Sequence, residues 1–374
     1  MKKMKHVFYA GLALVALASC SQDETVNVDK VGGIGFRTSL GKSTRAVTTL
    51  NNLGSFNVTA FPTGGVNYFT NLAVSSSDNG ATWNTASIYY WPGSALNFTA
   101  YAPTSISTLV SIDKTAQKIT GFEVEQAVAS QKDVVAAFNS GDKAAYGASG
   151  VPMNFKHILS QVEVKAKCTN ANLRVKVMGV KLGAINSKGD FAFPQTATIS
   201  SSSVPRTNWT NLATPKDFVA EDAAKTGLTL DNTAKSLMFG TDNFMMIPQQ
   251  LTKYVQASAP TGAYIAVLCR IDVPNGVGGY TALYPSATET AYAFAAVGID
   301  TEWLPGKKYI YTLEFGNGGG VVPPNQDNPN PGGTDPEDPT DPYPHNPGDP
   351  ILGDIIKFTV TVDDWADQNE NITM

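Results

Sequence analysis

Charge is scarce in this chain. Lys, Arg, Asp and Glu make up 16% of its 374 residues, against about 25% in ordinary soluble domains. Lys- and Glu-faced helices cannot be built from so little. Ser, Thr, Asn and Gly have to cover the surface, which suits an all-β exterior. The net charge is −5 and no basic cluster follows the first five residues. Phosphate backbones demand a Lys/Arg surplus on one face, so nucleic acid is excluded as a partner. Three cysteines are too few for a disulfide-dense scaffold. The one long apolar run, Val7 to Leu17, is too short to span a bilayer comfortably. No window sustains a 3.6-residue period over three turns. A polytopic membrane protein and a coiled coil are therefore excluded.

Catalytic chemistry is as sparse. No Gly-x-Gly-x-x-Gly, phosphate-binding loop or Gly-x-Ser-x-Gly elbow is present. His6 falls in the opening apolar segment and His345 in a proline-rich stretch, which leaves His157. A nucleophile would have to pair with it, yet no motif surrounds it, and it reads as a hydrogen-bonded structural residue. Zinc sites lack ligands. Glu221-Asp222 and Asp363-Asp364 are adjacent pairs, which point to opposite faces of a strand and read as solvated acids. The expectation is no enzyme, no cofactor and no metal. Trp83, Trp91, Trp209 and Trp303 are scattered singly and read as core or hairpin anchors.

The ends of the chain carry more. Three lysines in Met1 to Lys5, the apolar run and Leu17-Ala18-Ser19-Cys20 read as a secretory signal. Leu-Ala-Ser-Cys resembles a bacterial lipobox, in which Cys20 is acylated and anchors the chain to outer-membrane lipid. The alternative is an ordinary signal peptide with an incidental cysteine. Cys168 and Cys269 each sit in an apolar strand-like run. Their spacing does not decide pairing, and separate buried thiols are the preferred reading.

Strand signals recur about every ten residues through the body, as in Phe56 to Phe61, Leu96 to Tyr101, Val162 to Ala166 and Tyr309 to Leu313. The fold class expected is all-β, with two β-sandwich domains. The expected limits are a signal at 1–19, a tether at 20–30, and a first domain at 31–150 that opens with a strand at 33–40. A second domain at 151–315, a linker at 316–350 and a tail at 351–374 follow. The linker, Gly316 to Pro350, has ten prolines and no Lys or Arg. Fully extended, it would reach on the order of 100 Å.

Two segments at opposite ends share one pattern. Ile34, Phe36, Thr38 and Leu40 fall on one face of a strand, and so do Ile356, Phe358, Val360 and Val362. Arg45, in the polar stretch Lys42 to Ala46, offers a trypsin-like protease a cut before Ala46 that releases the first strand. The sandwich would then expose an apolar groove with an unpaired edge, a template for strand addition. Three or four apolar side chains at about 1.5–3 kcal/mol each make the tail of another copy an adequate filler. Repeated head to tail, that contact builds a filament.

Thr44-Arg45-Ala46, Phe56 to Phe61, Tyr90-Trp91-Pro92, Leu96 to Pro103, Phe155 to Ser160, Trp303 to Tyr309 and Thr359 to Trp365 together resemble Bacteroidales fimbrillins, the subunits of type V pili. The resemblance covers nearly the whole chain. It implies two tandem β-sandwich (transthyretin-like) domains, export as a lipoprotein through Cys20, and cleavage after Arg45 by an arginine-specific protease. It also implies a displaced first strand and polymerisation by donor-strand exchange through the C-terminal strand. The partners implied are other pilin subunits and a receptor on host or bacterial surfaces. The location implied is the outer membrane and then a cell-surface fimbrium. The long Pro/Asp linker departs from the pattern and leaves open whether the tail is donated or self-inserted. The competing reading is a non-polymerising surface lipoprotein that binds glycans through exposed aromatics.

Overall fold

The computed structural model describes residues 32–40, 52–195, 204–254, 261–285, 291–316, 318–323, 348–353 and 356–364. In chain order the strands are β1 (Phe36–Leu40), β2 (Ser55–Phe61), β3 (Phe69–Ser75), β4 (Asn84–Thr85), β5 (Leu96–Ala102), β6 (Val110–Ile112), β7 (Gln117–Glu123), β8 (Val135–Gly141) and β9 (Val151–His157). Then follow β10 (Ser160–Cys168), β11 (Arg174–Ala192), β12 (Trp209–Glu221), β13 (Leu228–Thr229), β14 (Lys235–Ser236) and β15 (Phe244–Met246). The last are β16 (Tyr264–Pro274), β17 (Tyr280–Tyr284), β18 (Ala293–Gly298), β19 (Lys307–Phe315) and β20 (Lys357–Asp364). Helix among the described residues is confined to short turns such as Thr104–Leu109 and Lys143–Tyr146. The protein is all-β, as its scarcity of charge and its alternating patterns require.

Three sheets result. The first has the order β1-β9-β8-β5-β2-β3-β4. The second runs β14-β10-β19-β20, with β15 also on β10. The third runs β17-β16-β11-β7-β6, with β12 and β13 on β11 and β18 on β16. Alternation decides which side chains enter the core. On β19, Tyr309, Tyr311, Leu313 and Phe315 are buried while the residues between them are half-exposed. On β10, Val162, Val164 and Ala166 face the same way. These rows meet Val175, Val177 and Val180 of β11 and Ile265 and Val267 of β16 in the largest core. A second core lies wholly within the first sheet and its loops, around Phe36, Phe56, Phe98, Phe155 and Trp83.

The sequence break near Gly150 is a turn inside the first sheet. β9 follows it but pairs with β8 and β1. β6 and β7 precede it, yet β7 pairs with β11 in the third sheet. Phe61, Tyr101 and Ile119 likewise join the largest core. Strands from the two halves thus share sheets and core. Gly150 has φ of +77°, and a Cβ there would press on the backbone of Gly35 at 3.3 Å, so glycine lets the first strand run close beside β9.

Cys168 and Cys269 are free and buried, on β10 and β16. Burial pushes both thiols above their ordinary titration range. Trp83, Trp209 and Trp303 are buried and Trp91 is half-buried. Trp209 donates to the carbonyl of Ile158 at 2.7 Å and Trp303 to Tyr311 Oη at 2.9 Å.

Candidate assembly site: the first strand and the tail strand

The first strand is an edge strand by pairing and a core element by burial. It has one ladder, parallel to β9, with Phe36 opposite Val151 and Leu40 opposite Phe155. Before the ladder, the amide of Ile34 donates to Tyr89 O at 2.7 Å and Gly33 bridges Tyr90. Tyr89 and Tyr90 lie just past β4, the far edge of the same sheet. The head of the first strand therefore ties the two edges together. Ile34, Phe36 and Thr38 are buried and Leu40 is half-buried against the same core. Phe36 meets Phe56 and Phe98 edge-on, with ring centroids 6.0 and 6.1 Å apart. Ser39 on the opposite face donates to Asn154 Oδ1 at 2.7 Å. An edge strand that supplies the middle of a core is a plug. Its removal would open a groove floored by Phe56 and Phe98 and bordered by the free edge of β9.

Arg45 and Ala46 lie outside the described residues, within the connection between β1 and β2. A cut there separates the first strand from the rest of its sheet. Cys20 also lies outside the described residues.

The tail strand docks elsewhere. β20 runs antiparallel to β19, with Leu313 opposite Phe358, Tyr311 opposite Val360 and Tyr309 opposite Val362. In this chain it is self-inserted, on the outer edge of the second sheet, and not in the groove of the first strand. Its dock is shallow. Ile356 is buried, Phe358 and Val360 are half-buried, and Val362 is 51% exposed. The polar row on its other face, Lys357, Thr359, Thr361 and Asp363, is exposed. Among the described residues nothing pairs with its outer edge.

The proline-rich stretch returns to its starting point. Gly319 donates to Ile351 O at 2.9 Å and Ile351 to Gly320 O at 2.8 Å, while Val321 bridges both Ala296 of β18 and Pro350. Val322 and Ile351 are buried. Gly320 has φ of +89°, and a Cβ there would fall 2.7 Å from the carbonyl oxygen of Ala296, so this close fit requires glycine. The root of the tail is therefore clamped to the body at residues 319–322.

His157 is hydrogen-bonded, as its sequence reading has it, while the pairings of Glu163 and Asp272 carry no sequence motif. His157 shares a buried contact of 2.9 Å between its Nδ1 and Asp133 Oδ2. Glu163 on β10 is buried, 2.7 Å from Lys308 Nζ and 3.5 Å from Lys165 Nζ. Burial pushes its carboxyl up, but the two lysines outweigh this and hold it below the usual carboxylate range. Asp272 is buried beside Arg174 and Arg270. Asp222 accepts from the amides of Ala224, Thr226 and Gly227, so it braces a loop; the Gly227 amide above all lowers its carboxyl. Alternation along one strand does not show Glu163–Lys308, Arg174–Asp272 or His157–Asp133, because in each the partner comes from another segment. Among the described residues no group of three or more His, Cys, Asp or Glu side chains could hold a metal ion.

One exposed apolar patch adjoins the head of the first strand. Val66, Tyr68, Ile88 and Tyr90 are exposed, and Tyr68 Oη donates to Tyr90 O at 2.6 Å.

A family model described as fimbrillin-like matches residues 44–330. Both the first strand and the tail strand fall outside that match. Among solved structures, a fimbrial protein from Bacteroides vulgatus is similar, with a TM-score of 0.52 at 14% identity, over 89% of this chain and 99% of that one. A candidate cell adhesion protein from Bacteroides ovatus gives a TM-score of 0.47 at 14% identity, over 90% and 98%. At such identity the first likeness speaks for a shared fold. No curated protein matches the chain.

Proposed function

The chain belongs to the fimbrillin-like family, and we propose that it is a structural subunit of a surface fimbria that polymerises by exchanging strands. In this reading it is exported as a lipoprotein on Cys20 and held at the outer membrane as a precursor. A protease that prefers arginine cuts between Arg45 and Ala46. The first strand leaves with the lipid, and the tail strand of a second copy enters the vacated groove through Ile356, Phe358, Val360 and Val362. The fimbria then supports adhesion at the cell surface. The role is mechanical rather than enzymatic.

The observation that carries this reading is the contrast between the two strands. The first strand is deeply buried although only one edge of it is paired. The tail carries a similar row but leaves half of Val362 in water. A plug that can be cut free and a strand that is under-buried at home complement each other. The two ladders differ in sense, parallel for the first strand and antiparallel for the tail. That does not prevent substitution, because an alternating row of four apolar positions presents itself equally from either end.

The deciding experiment nicks the purified precursor near Arg45 and follows it by SDS gel without boiling. Ladders of multimers that appear only after nicking support the reading. Nicked protein that stays monomeric overturns it. The exposed Val66, Tyr68, Ile88 and Tyr90 favour a second reading, a non-polymerising lipoprotein that binds glycans by ring stacking. Retention of a defined sugar by intact chains, lost in Tyr90→Ala, would select it.

A further inference from the structure

The first strand carries a misfit in its own groove. Thr38 is fully buried on the inward row between Phe36 and Leu40, and its Oγ1 has no hydrogen-bond partner among the described residues. Its ladder neighbour is Met153, itself buried and apolar. Ser39, one position on, faces the other way and finds Asn154. The hydroxyl of Thr38 is thus desolvated without a partner among the described residues, which disfavours the inserted state relative to a strand released into water.

The tail lacks this defect. Its inward row is Ile356, Phe358, Val360 and Val362, and its hydroxyls, Thr359 and Thr361, stand on the other face. Entering the groove in the sense of the first strand, the tail brings Val360 to the position of Thr38. Entering in the opposite sense, it brings Phe358. Either way a hydrocarbon replaces the unsatisfied hydroxyl.

We propose that Thr38 is a built-in weakness of the first strand, which makes it the poorer occupant of its own groove and biases exchange toward the tail of a second copy. The inference rests on the exchange reading above. Before cleavage the defect is tolerated, because the connection through residues 41–54 keeps the first strand at a high effective concentration beside its groove. Cleavage removes that advantage and leaves the intrinsic preference exposed. The partner segment is residues 356–362 of another chain, selected by an inward row without a polar atom.

The test uses the full chain with a site-specific protease sequence in place of residues 43–47, and a fluorescent synthetic peptide of residues 351–374. After nicking, wild type is expected to take up the peptide as it releases its N-terminal fragment. Thr38→Val is expected to lower the equilibrium preference for the peptide by about tenfold, which is about 1.4 kcal/mol. Its intact precursor should also unfold at a higher temperature than wild type. Equal peptide preference in wild type and Thr38→Val overturns the inference while leaving exchange standing. So does an unchanged or lower unfolding temperature for Thr38→Val. If nicked wild type takes up no peptide, the exchange reading itself falls and this inference falls with it.

Discussion

Phe36 meets Phe56 edge-on at 6.0 Å, and the two rings belong to segments joined only through the connection that contains Arg45. Phe56 in turn packs on Trp83 and Phe155, each at 5.1 Å. One peptide-bond cleavage after Arg45 therefore cuts the covalent link between Phe36 and both rings it meets, Phe56 and Phe98.

Phe36→Ala measures what the plug contributes. A fully buried phenylalanine cut back to alanine costs about 3–5 kcal/mol, through lost transfer energy and the cavity left behind. The loss should appear in urea unfolding of the intact precursor, and hydrogen exchange should accelerate first along β9. Exchange rising equally in the second sheet would mean that the plug does not act locally.

Arg45→Ala separates processing from folding. Arg45 stands in the polar stretch Lys42 to Ala46, and a substitution that removes no packed contact usually changes stability by no more than about 0.5 kcal/mol. The variant precursor should keep its unfolding midpoint, resist nicking near residue 45 and form no multimers. Multimers formed by Arg45→Ala would show that the first strand leaves by another route.

Removal of residues 355–374 tests the donor. The deletion takes Ile356, Phe358 and Val360 from the largest core but no residue from the core of the first sheet, so the truncated chain should fold with that sheet's core and groove intact. It should accept a tail peptide after nicking but build no ladder. Ladders that persist after the truncation would remove the tail from the mechanism.

The two thiols give a check on the core that is independent of assembly. Cys168 and Cys269 are buried, and burial raises both above the ordinary thiol range, so neither supplies thiolate at neutral pH. In a chain starting after Cys20, a thiol reagent such as DTNB should find almost no reactive thiol in the folded state. In denaturant it should find both at once. A single thiol or none under denaturant would mean that the pair is oxidised.

Much of this fold is legible because strand alternation is local. The row Tyr309, Tyr311, Leu313, Phe315 declares its inward face without any partner in view. Sheet membership is not local. Nothing in Ile112 or Ile119 says that their strands join the third sheet, and nothing in Val151 says that it lies beside Phe36. The proline-rich stretch misleads for a related reason. Its composition forbids a ladder of its own, yet Val321 and Pro350 at its ends still bridge each other, because a bridge needs only a few backbone groups. Thr38 was visible as part of a row, but the missing partner of its hydroxyl is a property of the packed core.

Glu163 ties the tail's dock to pH. It is buried on β10, 2.7 Å from Lys308 of β19, and Lys308 stands opposite Asp363 in the ladder that holds the tail. Burial raises its carboxyl and the two lysines lower it by more, leaving a net depression in the folded state. A depressed folded value means that the unfolded chain takes up a proton first as pH falls. The stability contributed by Glu163 is therefore complete above the unfolded carboxyl range of about 4.3, and it is lost as pH drops through the lower folded value. At pH 7, Glu163→Gln should be less stable by about 1.5–3 kcal/mol, the usual loss of a hydrogen bond to a charged group. Wild type and variant should converge in urea unfolding as the pH approaches the folded value from above. A difference that stays constant from pH 7 down to about pH 3 would show that the amide loses packing rather than charge, and would uncouple the dock of the tail from acid.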